Sequence, residues 1–398
     1  MDAVQNPFAP GAGSPPPQLA GRDRLREQVA IAIARLRIGR HAKSVLMVGL
    51  RGVGKTVLLD RMRLDAEAEG VFTVRAETPE NRSLPAVLAP QMRVALLRLS
   101  SIANAKHLAQ RGLRALAGFA GSLKVKFNDI ELAMDLEPEP GLADNGDLEN
   151  DLATLFEEVG KAARAAGTAV VLFIDEIQYI EEAQFAALIS ALHRCAQGNL
   201  PLTVVGAGLP QLRGLAGAAK SYAERLFDFP TIGPLTPDEA RLAILKPAHD
   251  EGVEFTADAI ESIIEKTHGY PYFLQEWGKH SWDVAQKSPI NLHDVTLASI
   301  QAVADLDESF FRVRFDRLTP AEKRYLRAMA ELGPGPHRSG DIAAMVGRAV
   351  STLAPLRQSL IVKGMLWSPN HGDTAFTVPL FDEFMKRIMP GSNWKTDA

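Results

Sequence analysis

The sequence predicts an α/β fold: a parallel sheet covered by helices on both faces, followed by mostly helical regions. Short, almost continuously apolar segments alternate with helical segments, as expected for strands that are buried on both faces. One of these strands runs into a glycine-rich loop that leads into a helix, and another ends in two adjacent acidic residues. After about residue 235 the pattern becomes wholly helical, and after residue 319 it changes again.

The alternation of strands and helices begins near residue 21. A helix with apolar residues at helical spacing precedes the strand SVLMV, at residues 44–48. The glycine-rich loop and a second helix, which stops at Gly70, lead to a further strand. The later strands are predicted at residues 71–76, 169–174, 200–208 and 229–235, where the last one is FPTIGPL.

The composition is that of a globular protein in a reducing compartment. The chain has 398 residues, enough for two or three domains, and a net charge of −4, which gives no global basic field for nucleic acid. Its single cysteine, Cys195, excludes an intrachain disulfide. No apolar run reaches the roughly 18 residues that span a bilayer, and the first residues do not form a secretory signal. We therefore expect a cytoplasmic protein without membrane contact.

Shifts in composition predict five regions along the chain. Residues 1–18 are rich in proline and glycine and predict a disordered arm. An insertion at about residues 105–148 contains two alternating segments, at 122–136, that predict a β-hairpin, with a plain surface decoration as the alternative. The remaining regions are an α/β domain at 19–234, a helical lid domain at 235–305, a linker helix with a winged-helix domain at 306–390, and a disordered tail at 391–398.

The glycine-rich loop, GLRGVGKT at residues 49–56, fits the pattern G-x-x-x-x-G-K-[ST]. Its glycines allow positive φ and bring amide groups close to phosphate oxygens, and the following helix adds its positive end. Lys55 would reach the β- and γ-phosphates, and the Thr56 hydroxyl would coordinate Mg²⁺. An ordinary glycine-rich turn is the alternative. The residues expected to hold the nucleotide here are Gly49, Gly52, Val53, Gly54, Lys55, Thr56 and Val57.

The strand VVLFIDE ends in the acidic pair Asp175 and Glu176. At the carboxyl edge of a buried strand, Asp175 would hold the Mg²⁺ through water and Glu176 would polarise the attacking water. Phosphoryl transfer needs mainly positioning and charge neutralisation, which these residue types supply. A solvated strand end is the alternative. Since the sequence lacks an N-K-x-D guanine-reading motif, we expect the nucleotide to be ATP.

These motifs resemble those of the AAA+ ATPases, which are P-loop NTPases. The likeness is closest to the origin-recognition-complex-like group and to the prokaryotic STAND-type ATPases. Four segments carry it: GLRGVGKT, LFIDE, the Gly21-Arg22-Asp23 start of the first helix, and HGYPYFL at residues 268–274. The resemblance covers roughly residues 19–288, and residues 319–390 separately resemble a winged-helix domain.

The resemblance implies further site residues. Gly21 and Arg22 would lie against the adenine, and Pro271 would pack near the base, unless that proline is only an ordinary first-turn helix residue. Arg225, in YAERLF, would be an arginine finger that acts on a neighbouring subunit, with a surface arginine or a salt bridge as the alternative. Arg213 is a second candidate for that role.

One feature departs from the family pattern. The strand that ends near Val205 should be followed by an Asn, Ser or Thr that orients the water. This chain has Gly206-Ala207-Gly208 there, and Gln211 is the first amide after them. The departure leaves the sensor function and the rate of turnover open.

The resulting interpretation is an ATPase that uses Mg·ATP to drive a nucleotide-dependent conformational switch. The third helix of the predicted winged-helix domain would present polar side chains to double-stranded DNA: Arg348, Ser351, Thr352, Arg357, Gln358 and Lys363. Residues 319–389 nevertheless hold only nine Lys/Arg against six Asp/Glu. The alternatives are a STAND-like regulator that works through a protein partner with slow or negligible turnover, and an interaction module without hydrolysis. All imply binding of ATP or ADP, and nucleotide-dependent homo-oligomers are a further expectation.

The segment that joins lid and tail, ESFFRVRFDRLTP, is rich in aromatic residues and arginines. Such a segment could contact nucleic acid. We expect instead that Phe310, Phe311 and Phe315 pack the connecting helix against both the lid and the tail.

Overall fold

The chain forms two compact units. The computed structural model describes residues 1–11, 13–78, 82–123 and 137–395. The sheet unit comprises Arg22–Val48 and Lys55–Thr231, and the helical unit comprises Met1–Gly21, Gly49–Gly54 and Ile232–Ala398. Nearly all of the predicted hairpin at residues 122–136 lies outside the described residues.

The sheet unit contains five parallel strands in the order β2-β3-β4-β1-β5. Every residue of β1, β3 and β4 is buried, as the apolar strand sequences predicted. Because the strands are parallel, their carboxyl ends lie along one edge of the sheet. The predicted fold class is therefore confirmed. The strands are β1 (Ser44–Val48), β2 (Phe72–Glu77), β3 (Val170–Asp175), β4 (Leu202–Gly208) and β5 (Phe227–Asp228).

The last strand differs from its prediction at residues 229–235. β5 is only two residues long and ends before Phe229. Proline cannot donate to a ladder hydrogen bond, so Pro230 interrupts the pairing, although its carbonyl still accepts the Val48 N–H at 3.0 Å. One isolated parallel bridge follows, between Val48 and Thr231.

Helices cover the sheet and share one apolar core with it. Side-chain caps fix several helix starts: the Asp147 carboxylate accepts the Asn150 N–H at 2.9 Å, and Ser83 caps Ala86 at 3.4 Å. No helix in the described parts of the chain is long and apolar enough to cross a bilayer. The helices of this unit are α1 (Asp23–Arg37), α2 (Lys55–Ala68), α3 (Leu84–Ser100), α4 (Lys106–Ser122), α5 (Leu148–Ala165), α6 (Glu182–Gln197), α7 (Leu212–Ala219) and α8 (Ala223–Leu226).

The helical unit begins with four helices that correspond to the predicted lid, followed by a short connecting helix. Capping boxes at Thr236 and Asn291 start two of them. These helices are α9 (Pro237–Asp250), α10 (Ala257–Thr267), α11 (Pro271–Val284), α12 (Leu292–Asp305) and α13 (Arg312–Phe315).

Residues 320–388 of this unit, the C-terminal module, follow the element order expected for the tail. Three helices precede two strands, and an additional short strand pairs with them in the antiparallel order β6-β8-β7. Pro355 lies inside the third helix and does not end it. The module consists of α14 (Pro320–Leu332), β6 (His337–Arg338), α15 (Ser339–Val346), α16 (Val350–Val362), β7 (Leu366–Trp367), β8 (Asp373–Phe376) and α17 (Phe381–Ile388).

The aromatic residues of the connecting segment pack as expected. Phe311 stacks on Phe384 of α17 with ring centroids 5.2 Å apart, and Phe310 meets Phe273 of α11 at 5.8 Å. The Arg314 guanidinium lies 4.2 Å from the Phe310 ring centroid. The lid helices and the C-terminal module therefore share a single core.

Some described residues of the two terminal segments that were predicted to be disordered pack against the helical unit. The Phe8 ring is 3% exposed and packs on Gly278, where a Cβ would lie 2.7 Å from the ring. The Trp282 indole donates to the Asp2 carbonyl at 2.8 Å. At the other end, Trp394 is buried and lies under the Arg327 guanidinium. The arm has no core of its own, but a few large apolar residues anchor it to α11.

Candidate functional site at the carboxyl edge of the sheet

Asp175, the last residue of β3, carries a buried carboxylate that is 8% exposed. It accepts a hydrogen bond from the Thr56 hydroxyl on α2 and one from the Glu176 N–H, the latter at 2.9 Å. Burial raises the pKa of Asp175, and the Thr56 hydrogen bond and the Lys55 charge oppose that rise without cancelling it. The ionised form of this carboxylate is therefore less stable than it would be in water, and a bound cation would stabilise it.

The glycine-rich loop lies immediately before α2. Gly52 and Gly54 have φ of 78° and 85°, and nothing lies within 4 Å of the position of a Cβ at Gly54. A Cβ at Gly49 would lie 2.2 Å from the carbonyl oxygen of Ile232, so only glycine fits there. The loop runs directly into the N-terminus of α2, where Lys55 is the first residue and is 9% exposed. The backbone amides at a helix start and the positive end of the helix dipole are suited to bind an anion.

The Thr56 and Asp175 oxygens fit Mg²⁺. Magnesium prefers hard oxygen donors, takes one or two protein ligands, and fills its other positions with water and substrate phosphates. In the described segments, no group of three or more His, Cys, Asp or Glu side chains could hold a metal. The hydroxyl and carboxylate pair thus fits a metal that arrives with a phosphate rather than one held by the protein alone.

Glu176 follows Asp175 in a left-handed backbone conformation, with φ 54° and ψ 35°. This region is uncommon for a residue with a side chain and is retained where surrounding contacts enforce it. Thr78, just beyond β2, supplies such contacts: its hydroxyl donates to the carbonyls of Asp175 at 3.0 Å and Glu176 at 2.8 Å. Sequence reasoning did not single out Thr78.

Gln178 is a second residue that the sequence analysis missed. Its side-chain NH₂ donates to the Glu176 carboxylate, and its side-chain oxygen accepts the Leu209 N–H at 3.0 Å. The amide therefore connects Glu176 to the end of β4. The available signal was an amide two residues after the acidic pair, in IDEIQ.

Parts of the chain are similar to known protein families and structures. Residues 18–205 match the family model described as AAA ATPase domain, and residues 308–385 match a domain of unknown function (DUF8462). The Walker-type ATPase of Pyrococcus abyssi has a similar structure, with a TM-score of 0.58 and 16% identity over 95% of this chain and 99% of that one. That likeness shows a shared fold.

Residues 18–205 are an AAA ATPase domain. A curated relative, an uncharacterised HTH-type transcriptional regulator of Methanocaldococcus jannaschii, is 24% identical over 236 residues. The match covers 58% of this chain and 56% of the relative, so it spans little more than half of that protein. The structure of Cdc6p from Pyrobaculum aerophilum matches with a TM-score of 0.49 and 17% identity, over 98% of this chain and 99% of that one.

Both candidate finger arginines lie in the sheet unit, beyond the residues that match the family model. Arg213 is engaged, since its guanidinium donates to the Phe229 carbonyl and the Thr231 hydroxyl, each at 2.7 Å. Arg225, in α8, is exposed, and its guanidinium forms no ion pair or hydrogen bond with any residue that the structure describes. The salt bridge considered as its alternative role is therefore not observed there.

The residues predicted to contact the base fall in different parts of the chain. Arg22 immediately precedes α1 in the sheet unit, and Val57 lies half-buried in the first turn of α2. Gly21 belongs to the helical unit, where a Cβ would lie 2.4 Å from the Glu239 side chain. Pro271 starts α11 in the same unit. Their contact with a nucleotide stays a prediction.

The C-terminal module uses two of the six residues expected to contact DNA in internal hydrogen bonds. The Arg357 guanidinium donates to the Thr374 hydroxyl at 2.8 Å and the Asp373 carbonyl at 3.0 Å. The Lys363 ammonium donates to Glu322 at 2.7 Å. These two side chains hold α16 to β8 and α14, which leaves fewer charges for a phosphate backbone.

Proposed function

We propose that this chain binds and hydrolyses Mg·ATP, and that nucleotide binding drives a conformational switch. The observation that carries the proposal is the hydrogen bond between the Thr56 hydroxyl and the Asp175 carboxylate. It joins the start of α2 to the end of β3 and brings together the two oxygens that a shared magnesium ion requires.

Each residue at the sheet edge would have a distinct task. The loop amides and the Lys55 ammonium would hold the phosphates, while Thr56 and Asp175 would hold the metal. When bound, Mg²⁺ would neutralise charge on the β- and γ-phosphate oxygens. Glu176 would accept the proton of the water whose oxygen bonds to the γ-phosphorus, while the bridging P–O bond breaks and its electrons remain on ADP.

Contacts within the helical unit support the switch. The Arg51 N–H, in the glycine-rich loop, donates to the Thr377 carbonyl at 3.0 Å. The Tyr272 N–H, in α11, donates to the Gly52 carbonyl at 3.2 Å. The loop that would hold the phosphates is thus bonded both to a lid helix and to the segment after β8. A change in loop conformation on nucleotide binding would alter these two bonds.

The target of the switch would be DNA or a protein. Similarity to the Methanocaldococcus jannaschii relative, an uncharacterised HTH-type transcriptional regulator, favours DNA as the target. The internal engagement of Arg357 and Lys363 favours a protein partner instead. A DNA mobility-shift titration separates the two, because phosphate contacts make binding fall steeply with salt. Affinity for duplex DNA that falls with salt and changes with nucleotide supports the first target, and its absence supports the second.

Arg225 would act across a subunit boundary. If it does, turnover per chain rises with protein concentration in wild type and stays low in Arg225→Ala, whereas Arg40→Ala, another exposed arginine of the sheet unit, behaves as wild type. Turnover that is independent of concentration and unaffected by Arg225→Ala would remove Arg225 from the mechanism.

Nucleotide binding and phosphate release together test the proposed activity. We expect wild type to bind ATP in a magnesium-dependent manner and to release phosphate. Glu176→Gln should retain binding and lose roughly 10²–10⁴-fold in kcat, the usual contribution of a general base. The exposed Glu182→Gln is the matched control. Absence of magnesium-dependent binding would contradict the proposal, and binding without turnover in wild type would favour the STAND-like alternative.

A further inference from the structure

We infer that Gln178 is a positioning residue for Glu176 and takes the place of the polar side chain that β4 lacks. The inference rests on the proposed function, because positioning matters only if Glu176 acts on the attacking water. It starts from a conflict in the sequence: β4 ends in glycines where a water-orienting side chain was expected.

The hydrogen bonds of Gln178 are directional. Its NH₂ group can only donate, and it donates to the Glu176 carboxylate. Its carbonyl oxygen can only accept, and it accepts the Leu209 N–H at 3.0 Å. The backbone at the end of β4 therefore fixes the amide, and the amide in turn fixes one oxygen of Glu176.

The β4 glycines make room for this arrangement. A Cβ at Gly206 would lie 2.1 Å from Cδ1 of Ile177, and one at Gly208 would lie 2.8 Å from the Gln178 side-chain oxygen. The turn Ile177–Tyr179 thus packs directly on the end of β4. A side chain at either position would displace the Ile177 side chain or the Gln178 amide. The absence of a side chain at the end of β4 and the Gln178 contact are therefore two aspects of one arrangement.

The consequence for the reaction concerns orientation. Glu176 has a left-handed backbone conformation, and a side chain of its length has several rotamers. The bond from Gln178 to one carboxylate oxygen fixes the direction of the other oxygen, which would accept a proton from water. Gln178 itself need not touch the nucleotide.

Two variants of Gln178 separate its two bonds. Gln178→Glu keeps an acceptor for the Leu209 N–H but removes the donor to Glu176. Gln178→Met, of similar length, removes both. The matched control is Gln184→Met, because the Gln184 amide makes the same type of bridge elsewhere: it donates to Glu181 at 3.0 Å and accepts the Leu84 N–H at 2.6 Å.

The first measurement needs no nucleotide. Hydrogen exchange of the segment around Leu209 should be about fivefold faster in Gln178→Met than in wild type, the effect of losing one ordinary hydrogen bond. Exchange there should stay slow in Gln178→Glu and in Gln184→Met. Equal exchange in wild type and Gln178→Met would overturn the bridge itself.

The second measurement separates positioning from binding. Both Gln178 variants should lower kcat at least tenfold while the Kd for Mg·ATP changes less than twofold, whereas Gln184→Met retains wild-type kcat. Unchanged or raised kcat in the Gln178 variants would overturn the positioning role, and so would a loss of Kd equal to the loss of kcat. If wild type itself shows no turnover, the proposed function fails, while the exchange data still test the bridge.

Gly208→Ala tests the same Gln178 contact through a change in β4. The added methyl should displace the Gln178 amide and lower kcat to a similar degree. Because both changes act through one amide, the double variant Gly208→Ala/Gln178→Met should be no slower than the slower single variant. Independent, multiplying effects would show that Gly208 and Gln178 act separately and would overturn the shared arrangement.

Discussion

Asp175 in the sheet unit and Glu322 in the helical unit are both buried carboxylates, but their surroundings shift the pKa in opposite directions. Glu322 is 2% exposed and accepts hydrogen bonds from the Lys363 ammonium and the Ser359 hydroxyl, each at 2.7 Å, and from the Thr319 N–H at 2.8 Å. Burial alone would raise its pKa, but these donors outweigh burial and lower the pKa to about 2. Asp175 has fewer donors, and its pKa is raised.

The difference distinguishes a structural carboxylate from a functional one. Glu322 finds its cation and its donors inside its own unit, so it needs no ligand to be ionised and buried. Asp175 lies at a strand end where the protein supplies one hydroxyl, one amide and a nearby lysine charge. Burial that internal partners do not offset is typical of sites that bind a cation or perform chemistry.

Replacing Asp175 should have the largest effect. Asp175→Asn keeps an acceptor for the Thr56 hydroxyl but removes the charge that would hold magnesium. We expect phosphate release to fall on the order of 10²–10³-fold, as when one electrostatic contact to the transition state is lost. The same variant, free of nucleotide, should melt at a higher temperature than wild type near pH 7, because the under-stabilised charge is gone. Calorimetry tests the expected melting temperature, and a phosphate assay tests the expected loss of turnover. A melting temperature below that of wild type would contradict the proposed difference between Asp175 and Glu322.

Replacing Glu322 should affect stability alone. Glu322→Ala removes the carboxylate that accepts the Thr319 N–H in the capping box of α14, together with its bonds to Ser359 and Lys363. These losses predict a decrease of about 2–3 kcal/mol in the free energy of unfolding. ATP turnover by the folded protein should stay at the wild-type level. The control is the exposed Asp341→Ala in α15, with an expected change of about 0.5 kcal/mol or less. Wild-type stability of the Glu322→Ala protein would contradict the structural role assigned to Glu322.

The pH dependence of stability should show the smallest effect, with opposite signs at the two sites. The folded pKa of Glu322 is depressed to about 2 from an ordinary 4.5, so its contribution is fully present above that ordinary value and is lost as pH falls toward 2. The folded pKa of Asp175 is raised above an ordinary 3.8, so its ionisation lowers stability as pH increases through that range.

Melting temperatures measured against pH resolve these two contributions. Glu322→Ala should flatten the acid side of the profile relative to wild type. Asp175→Asn should remove part of the decline in melting temperature that accompanies ionisation of Asp175 as the pH rises. Profiles of both variants that run parallel to wild type would show that neither carboxylate is coupled to folding as described.

The parts of the site that were predicted from the sequence are local. The glycine-rich loop, Lys55, Thr56 and the acidic pair occupy fixed places in short motifs, and the strands before them are recognisable by burial on both faces. The parallel sheet and the likeness to the AAA ATPases followed from that local information, whereas the strand order was not predicted. The roles of the individual residues remain predictions.

The remaining features depend on contacts between residues that are distant in sequence. The Gln178 bond to Leu209 spans 31 residues, and no periodic pattern marks it. The N-terminal arm has the composition of a disordered segment, yet the Trp282 indole, 280 residues later, donates to the Asp2 carbonyl. Arg357 looked available for DNA on a helix surface, and only the packing of β8 against that helix shows that its donors are engaged.

The most direct test is titration calorimetry of ATP with and without magnesium, on wild type and on Thr56→Val. Valine keeps the shape of the threonine side chain and removes only the hydroxyl that is bonded to Asp175. Wild type should bind ATP at least tenfold more tightly with magnesium, and Thr56→Val should lose that gain while still binding metal-free ATP through Lys55 and the loop. A Thr56→Val protein that keeps the full magnesium gain would contradict the shared ion on which the account depends.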